Sequence, residues 1–119
     1  MKNFRNLQVW QKSHALTLQV YQVTNSYPKS ELFSLTSQTR RAAASVPANI
    51  AEGYGRGSDA EFGRFLHIAS GSACELEYHL MLAHDLNFLS SANHATLDAE
   101  VNEIKRMLAA LQQKLKAKS

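Results

Sequence analysis

The chain has 119 residues, of which 45% are hydrophobic and 19% charged, with a formal net charge of +3. That is long enough for one domain spanning residues 1–119 with a proper core, and too apolar for a disordered chain. The single cysteine, Cys74, excludes an internal disulfide framework and Cys-rich zinc sites, no apolar run reaches the length of a membrane span, and MKNFRNLQVW lacks a signal peptide's apolar stretch, so a soluble cytoplasmic protein is expected.

Asn6 is placed to cap a first helix running to about Tyr27. Along it Val9, Ser13, Leu16, Val20, Val23 and Tyr27 repeat at steps of three and four. Trp10, His14, Leu18 and Tyr21 form a second stripe, so this helix should meet more than one neighbour. Pro28 ends it. A second helix begins between Glu31 and Leu35 and ends near Tyr54, with Leu35, Thr39, Ala42, Val46, Ile50 and Tyr54 as its seam. Pro47 removes a backbone donor and should bend this helix, but the seam stays in phase across it. Ser58 and Glu61 have the spacing of a capping box for a third helix to about Leu86, whose seam is Phe62, Leu66, Ala69, Ala73, Leu76, Leu80 and Ala83. Asn87 suits the left-handed conformation that ends a helix. A fourth helix starts near Ser91, with Leu97, Val101, Ile104, Leu108, Leu111 and Leu115 in heptad phase and a basic, flexible end from about residue 114. Four long helices with short connections predict an all-α, antiparallel up-down-up-down four-helix bundle.

Small residues concentrate at Ala42–Ala51 and again at Ala69–Cys74. If the chain reverses near Gly57, Ala44 faces Gly71 and the second and third helices pack closely there. On that register Gly71→Leu should overpack the contact, and Arg40 should face Glu75.

The stretches FRNLQVWQKS, LTSQTRRAAASVPANIAEGYGRGS and EFGRFLHIASGSACELEYHLMLAHDL, together covering Phe4 to about Leu89, resemble the small proteins encoded in intervening sequences of bacterial 23S rRNA genes. Gln38–Arg41, Asn49–Gly53 and Gly71–Leu76 are the most specific parts. The resemblance implies a four-helix bundle assembling as a homopentamer. It also implies relatives among the accessory proteins of diversity-generating retroelements, which bind nucleic acid and a reverse transcriptase.

No Glu-x-x-His pair of the di-iron bundle type occurs, and Glu75 with His79 makes only half a metal site, so no metal or other cofactor is expected. Cys74 inside a small-residue run reads as a buried, inert thiol. GYGRG lacks the Lys–Ser/Thr of a phosphate loop. With no acid–base constellation, an enzyme is not expected. Asn49 and Glu52 read either as a ligand site or, preferred, as a structural polar network that locks the hinge and satisfies groups freed by Pro47.

The proposed topology brings residues 1–14, 46–68 and 107–119 to one end of the bundle. That half holds eight basic residues against three acidic ones, while the other half holds five against seven. Arg5, Lys12, Arg56, Arg64, Lys114 and Lys116 are therefore the candidate nucleic-acid contacts. The expected function is a non-enzymatic, oligomeric RNA- or DNA-binding accessory protein. The alternative is a protein-interaction scaffold that binds no nucleic acid.

Overall fold

A computed structural model describes residues 3–118. Its four long helices are α1 (Gln8–Thr24), α2 (Ser37–Gly55), α3 (Asp59–Asp85) and α4 (Ser91–Lys118). At about 1.5 Å per residue, the 28 residues of α4 nearly span the longest dimension of the molecule, 46 Å. Helix α2 packs on α1 and α3, α3 on α4, and α4 on α1, which closes a four-membered bundle.

Side-chain pairs fix the directions. Ser45 meets Ser72 and Tyr54 meets Phe62, so residue numbers rise on α3 as they fall on α2. Thr17 with Ala43 and Thr24 with Arg40 show the same reversal between α1 and α2. Glu77 with Lys105 and Ser70 with Gln112 show it between α3 and α4. Adjacent helices run antiparallel, as short connections require.

The apolar seams form the core. Val9, Leu16 and Val20 of α1, and Ala42, Val46 and Ile50 of α2, are buried. So are Leu66, Ala69, Ala73, Leu76 and Leu80 of α3, and Leu97, Val101, Ile104 and Leu108 of α4. Ser13 and Thr39 sit inside as well, because their hydroxyls donate to carbonyls one turn earlier in the chain, Trp10 O and Leu35 O, and leave no polar group bare.

Several boundaries and contacts differ from the sequence expectations. Asn6 caps nothing: Asn3 caps a 3-10 turn, Phe4–Asn6, and extended Leu7 precedes α1. Before α2 come a 3-10 turn, Lys29–Glu31, and a π-helical turn, Leu32–Thr36, broken at Ser34 (φ −127°, ψ −108°). Pro47 leaves α2 continuous, and the Ala43 carbonyl left without an amide partner lies 3.1 Å from the Thr17 hydroxyl. The capping box is half formed. The Ser58 hydroxyl accepts from the Glu61 amide, but the Glu61 carboxylate turns to Arg64. Asn87 adopts φ 65°, and the Phe88 and Asn87 amides bond to the Ala83 and His84 carbonyls, closing α3. Residues 114–118 of the basic C-terminal end lie within α4, which runs to Lys118.

The close crossing of α2 and α3 is at Gly53, not Gly71. A Cβ placed on Gly53 would lie 2.5 Å from Phe65 Cβ, whereas one on Gly71 meets nothing within 4 Å. The chain reverses through Arg56–Ser58, so partners such as Ser45 and Ser72 sit about one half-turn from the expected register. This turns Gly71 to the outside, and it withdraws the expectation that Gly71→Leu overpacks the bundle.

Candidate nucleic-acid interface

The expected basic end assembles from four elements. The amine of Lys118, at the end of α4, lies 3.9 Å from Asp59 at the start of α3. Lys114 borders a hollow with Leu7, Gln8 and Val9 at the start of α1. Arg56 and Arg64 place their guanidinium carbons 5.1 and 4.5 Å from the centre of the buried Phe65 ring. Arg5 lies over Phe4 and within hydrogen-bond reach of Asn3. Lys2, counted with this end, lies outside the described residues.

Most of these cations have a carboxylate at hand. Arg56 bonds to Glu52 at 2.8 Å and Arg64 to Glu61 at 2.9 Å, each within one helix turn. Hydrogen bonding to Arg64 holds the Glu61 carboxyl below its usual range, and the same bond raises Arg64. Lys12 crosses from α1 to Glu103 of α4, 2.6 Å away, and that bond raises the amine and lowers the carboxyl. The sequence count had set Lys12 and Glu103 in opposite halves; their pairing shows that Lys12 belongs to the waist of the bundle. Arg5 and Lys114 make no ion pair among the described residues.

Asn49 and Glu52 do not share a network. Asn49 donates to Ser45 O at 2.8 Å and Ser45 Oγ at 3.0 Å, and Ser45 Oγ meets Ser72 Oγ at 2.8 Å. Glu52 faces solvent toward Arg56. The group freed by Pro47 is reached by Thr17 instead, a contact that sequence reasoning missed because its partners lie 26 residues apart.

Arg40 does not meet Glu75. Its Nε donates to Thr24 Oγ1 at 2.8 Å and its Nη2 to Asn25 Oδ1 at 3.0 Å, with the guanidinium carbon 4.9 Å from the Tyr21 ring centre. The side chain thus ties α2 to the end of α1. Glu75 lies 3.8 Å from His79, and no group of three or more metal-ligating side chains occurs among the described residues. Cys74, expected to be buried, is exposed, because the register turns its side of α3 outward. Phe65 is buried, and Phe88 packs beside Tyr27. His14 is exposed and stacks on Trp10 at 4.9 Å. No described helix is long and apolar enough to cross a membrane.

The described residues form a closed bundle of four helices with basic side chains gathered toward one end, a small all-helical protein. The model of the 23S rRNA-intervening sequence protein family matches residues 5–110, and the chain belongs to that family. A solved structure from Bacteroides thetaiotaomicron, a protein of unknown function from the S23 ribosomal protein family, has the same fold. It superposes with a TM-score of 0.82 at 24% identity, over 88% of this chain and 95% of that one. No curated protein matches the sequence.

Proposed function

We propose that the chain is a non-enzymatic, homo-oligomeric accessory protein that binds RNA or DNA. The observation that carries this reading is the gathering of cations from four elements remote in sequence at one end of the bundle. Ion pairing neutralises part of that end, and Arg5 and Lys114 stand beyond the pairs. Such an excess attracts a polyanion through its summed field, and phosphate contacts then release counterions. The family's description, an intervening-sequence protein of 23S rRNA, fits an RNA setting.

Self-assembly belongs to the same proposal. Ile68, Tyr78 and Met81 leave 40%, 54% and 45% of their surface exposed on α3, beside the open backbone of Gly71. Apolar surface of this extent is expected at an interface. A homopentamer and a reverse-transcriptase partner rest on the sequence resemblance alone. Light scattering should give a mass above the 13.3 kDa of one chain; a monomer at micromolar concentration overturns the assembly.

The test of the main reading is titration of single-stranded RNA and duplex DNA at two salt concentrations, with the wild type and with Arg5, Arg56 and Arg64 replaced together by Gln. The wild type should bind with steep salt dependence, and the triple variant should bind more weakly with a shallower slope. The scaffold reading has its own support in the ion pairs of Arg56 and Arg64. Absence of wild-type binding at low salt would establish it over the nucleic-acid reading.

A further inference from the structure

The opposite end of the bundle carries a different kind of basic surface. An open hollow of about 500 Å³ is lined by Tyr21 of α1, Leu32 and Phe33 of the π-helical turn, and Ser37, Arg40 and Arg41 of α2. Phe33 is 92% exposed, which is unusual for the largest apolar side chain of a segment whose next apolar residue, Leu35, is buried. The break at Ser34 separates these two directions. Tyr21 is 44% exposed, and its ring carries the Arg40 guanidinium on its face.

The electrostatics of the hollow differ from those of the end described above. Arg40 is held by hydroxyl, amide and carbonyl oxygens, so its charge is oriented without being neutralised. Arg41 is exposed and makes no ion pair among the described residues. From Lys29 to Arg41 the chain has three basic residues and one carboxylate, Glu31. That carboxylate accepts from the Leu35 amide within its own turn, and it does not line the hollow.

We infer that the hollow between Tyr21, Phe33, Arg40 and Arg41 is a stacking platform for one or two bases of a single-stranded nucleic acid, with the two arginines taking the flanking phosphates. It rests on the nucleic-acid reading above and assigns that reading a second, base-contacting site. Aromatic faces accept any base, because every base has a π face, while guanidinium groups not neutralised by a carboxylate attract the backbone phosphates. Duplex DNA keeps its bases stacked on one another, so it offers nothing to Phe33. A lone Phe33 in an uncharged surround would fit an apolar protein partner equally well. Two guanidinium groups without a carboxylate among the lining favour a polyanion.

The experiment uses the full chain and a fluorescent 12-nucleotide single strand, with an abasic strand of equal charge and a duplex as comparison probes. Phe33→Ala should weaken the single strand by on the order of tenfold and leave the abasic strand and the duplex unchanged. Arg41→Gln should weaken all three and lower the salt slope for the single strand by about one. Light scattering of each variant should match the wild type. If the wild type binds the strand and both variants bind it equally well, the platform is overturned while the nucleic-acid reading survives. If the wild type binds no probe at low salt, both fall. If Phe33→Ala lowers the assembly mass and Arg41→Gln leaves binding unchanged, Phe33 is covered by a second copy of the chain and the platform is likewise overturned.

Discussion

The two ends of the bundle hold cations in opposite ways. At the end formed by the α2–α3 turn, Arg56 and Arg64 lie over Phe65 and each reaches a glutamate within its own helix turn. At the far end, Arg40 lies over Tyr21 but is held by neutral oxygens, and Arg41 has no ion-pair partner among the described residues. Counting charges by sequence half ranks the first end as basic and the second as acidic. Yet most of the acidic residues of the second half lie on α3 and α4, where Glu77 bonds to Lys105 and Glu103 to Lys12. What a ligand meets is therefore set by which cations are already partnered, more than by the sum. The first end offers a diffuse field, and the second offers oriented groups for contact.

The largest expected effect breaks the first end and spares the second. Gly53→Val would push against Phe65, whose Cβ lies 2.5 Å from the position of an added Cβ. Neither helix backbone can yield cheaply in a packed crossing, so the variant should lose about 1–3 kcal/mol or more. Urea denaturation measures the loss. A midpoint equal to that of the wild type would show that α2 and α3 do not cross closely there.

Next in size is a contrast between arginines. Arg40→Ala removes charge-assisted bonds that tie α1 to α2, and it should cost about 1.5–3 kcal/mol. Arg64→Ala removes a solvent-screened pair within one helix, so its loss should be well below that of Arg40→Ala. Equal losses in the two variants would remove the distinction between a cation that holds the fold and one that decorates it.

The far end also has a buried tyrosine that titrates at alkaline pH. Tyr27 is buried beside Phe88 with its hydroxyl unpartnered, and burial pushes its pKa up to about 12. The unfolded tyrosine ionises near 10. Below pH 10 neither state is ionised and the group adds no pH dependence. Between about 10 and about 12 the unfolded chain loses its proton first, so stability falls as pH rises, by on the order of 2 kcal/mol across the window. Tyr27→Phe should flatten this alkaline loss while changing stability at pH 7 by no more than about 1 kcal/mol. An unchanged alkaline slope in the variant would assign the loss to other groups.

How much of this was legible depended on the distance over which each feature is specified. The seams through Ile50, Leu66 and Val101 were readable because helical periodicity is local, and these residues are fully buried. Asn87 was readable because a left-handed position strongly favours glycine or asparagine. The partner of Arg40 was not, since Thr24 lies 16 residues away on another helix. Nor was the hollow around Phe33, because the π-helical turn that presents it has no periodic signature. Its residues could have been flagged by one signal: Leu32 and Phe33 are adjacent apolar residues just outside the seam that begins at Leu35. Topology brings Arg56, Arg64 and Lys118 toward one end, but it also assigned Lys12 there, which pairs with Glu103 at the waist, and the ion pairs depend on rotamers that composition does not reveal.

The smallest expected effect concerns the same pair of helices as the largest. Gly71 lies in mid-α3 on the exposed side, with open space where its side chain would be. A glycine inside a helix costs roughly 0.5–1 kcal/mol relative to alanine, through the backbone entropy it loses on folding. Gly71→Ala should therefore raise stability by about that amount in an isolated chain. Gly53→Ala, chemically the same change, should lower it, because its Cβ has no room. The sign of the Gly71 change then reports on assembly. If the outer face of α3 packs against a second copy, the added methyl meets the partner's surface, and the gain in urea at low protein concentration should shrink or reverse as concentration rises. A gain independent of concentration would leave Gly71 facing solvent and move any self-association to another face of the bundle.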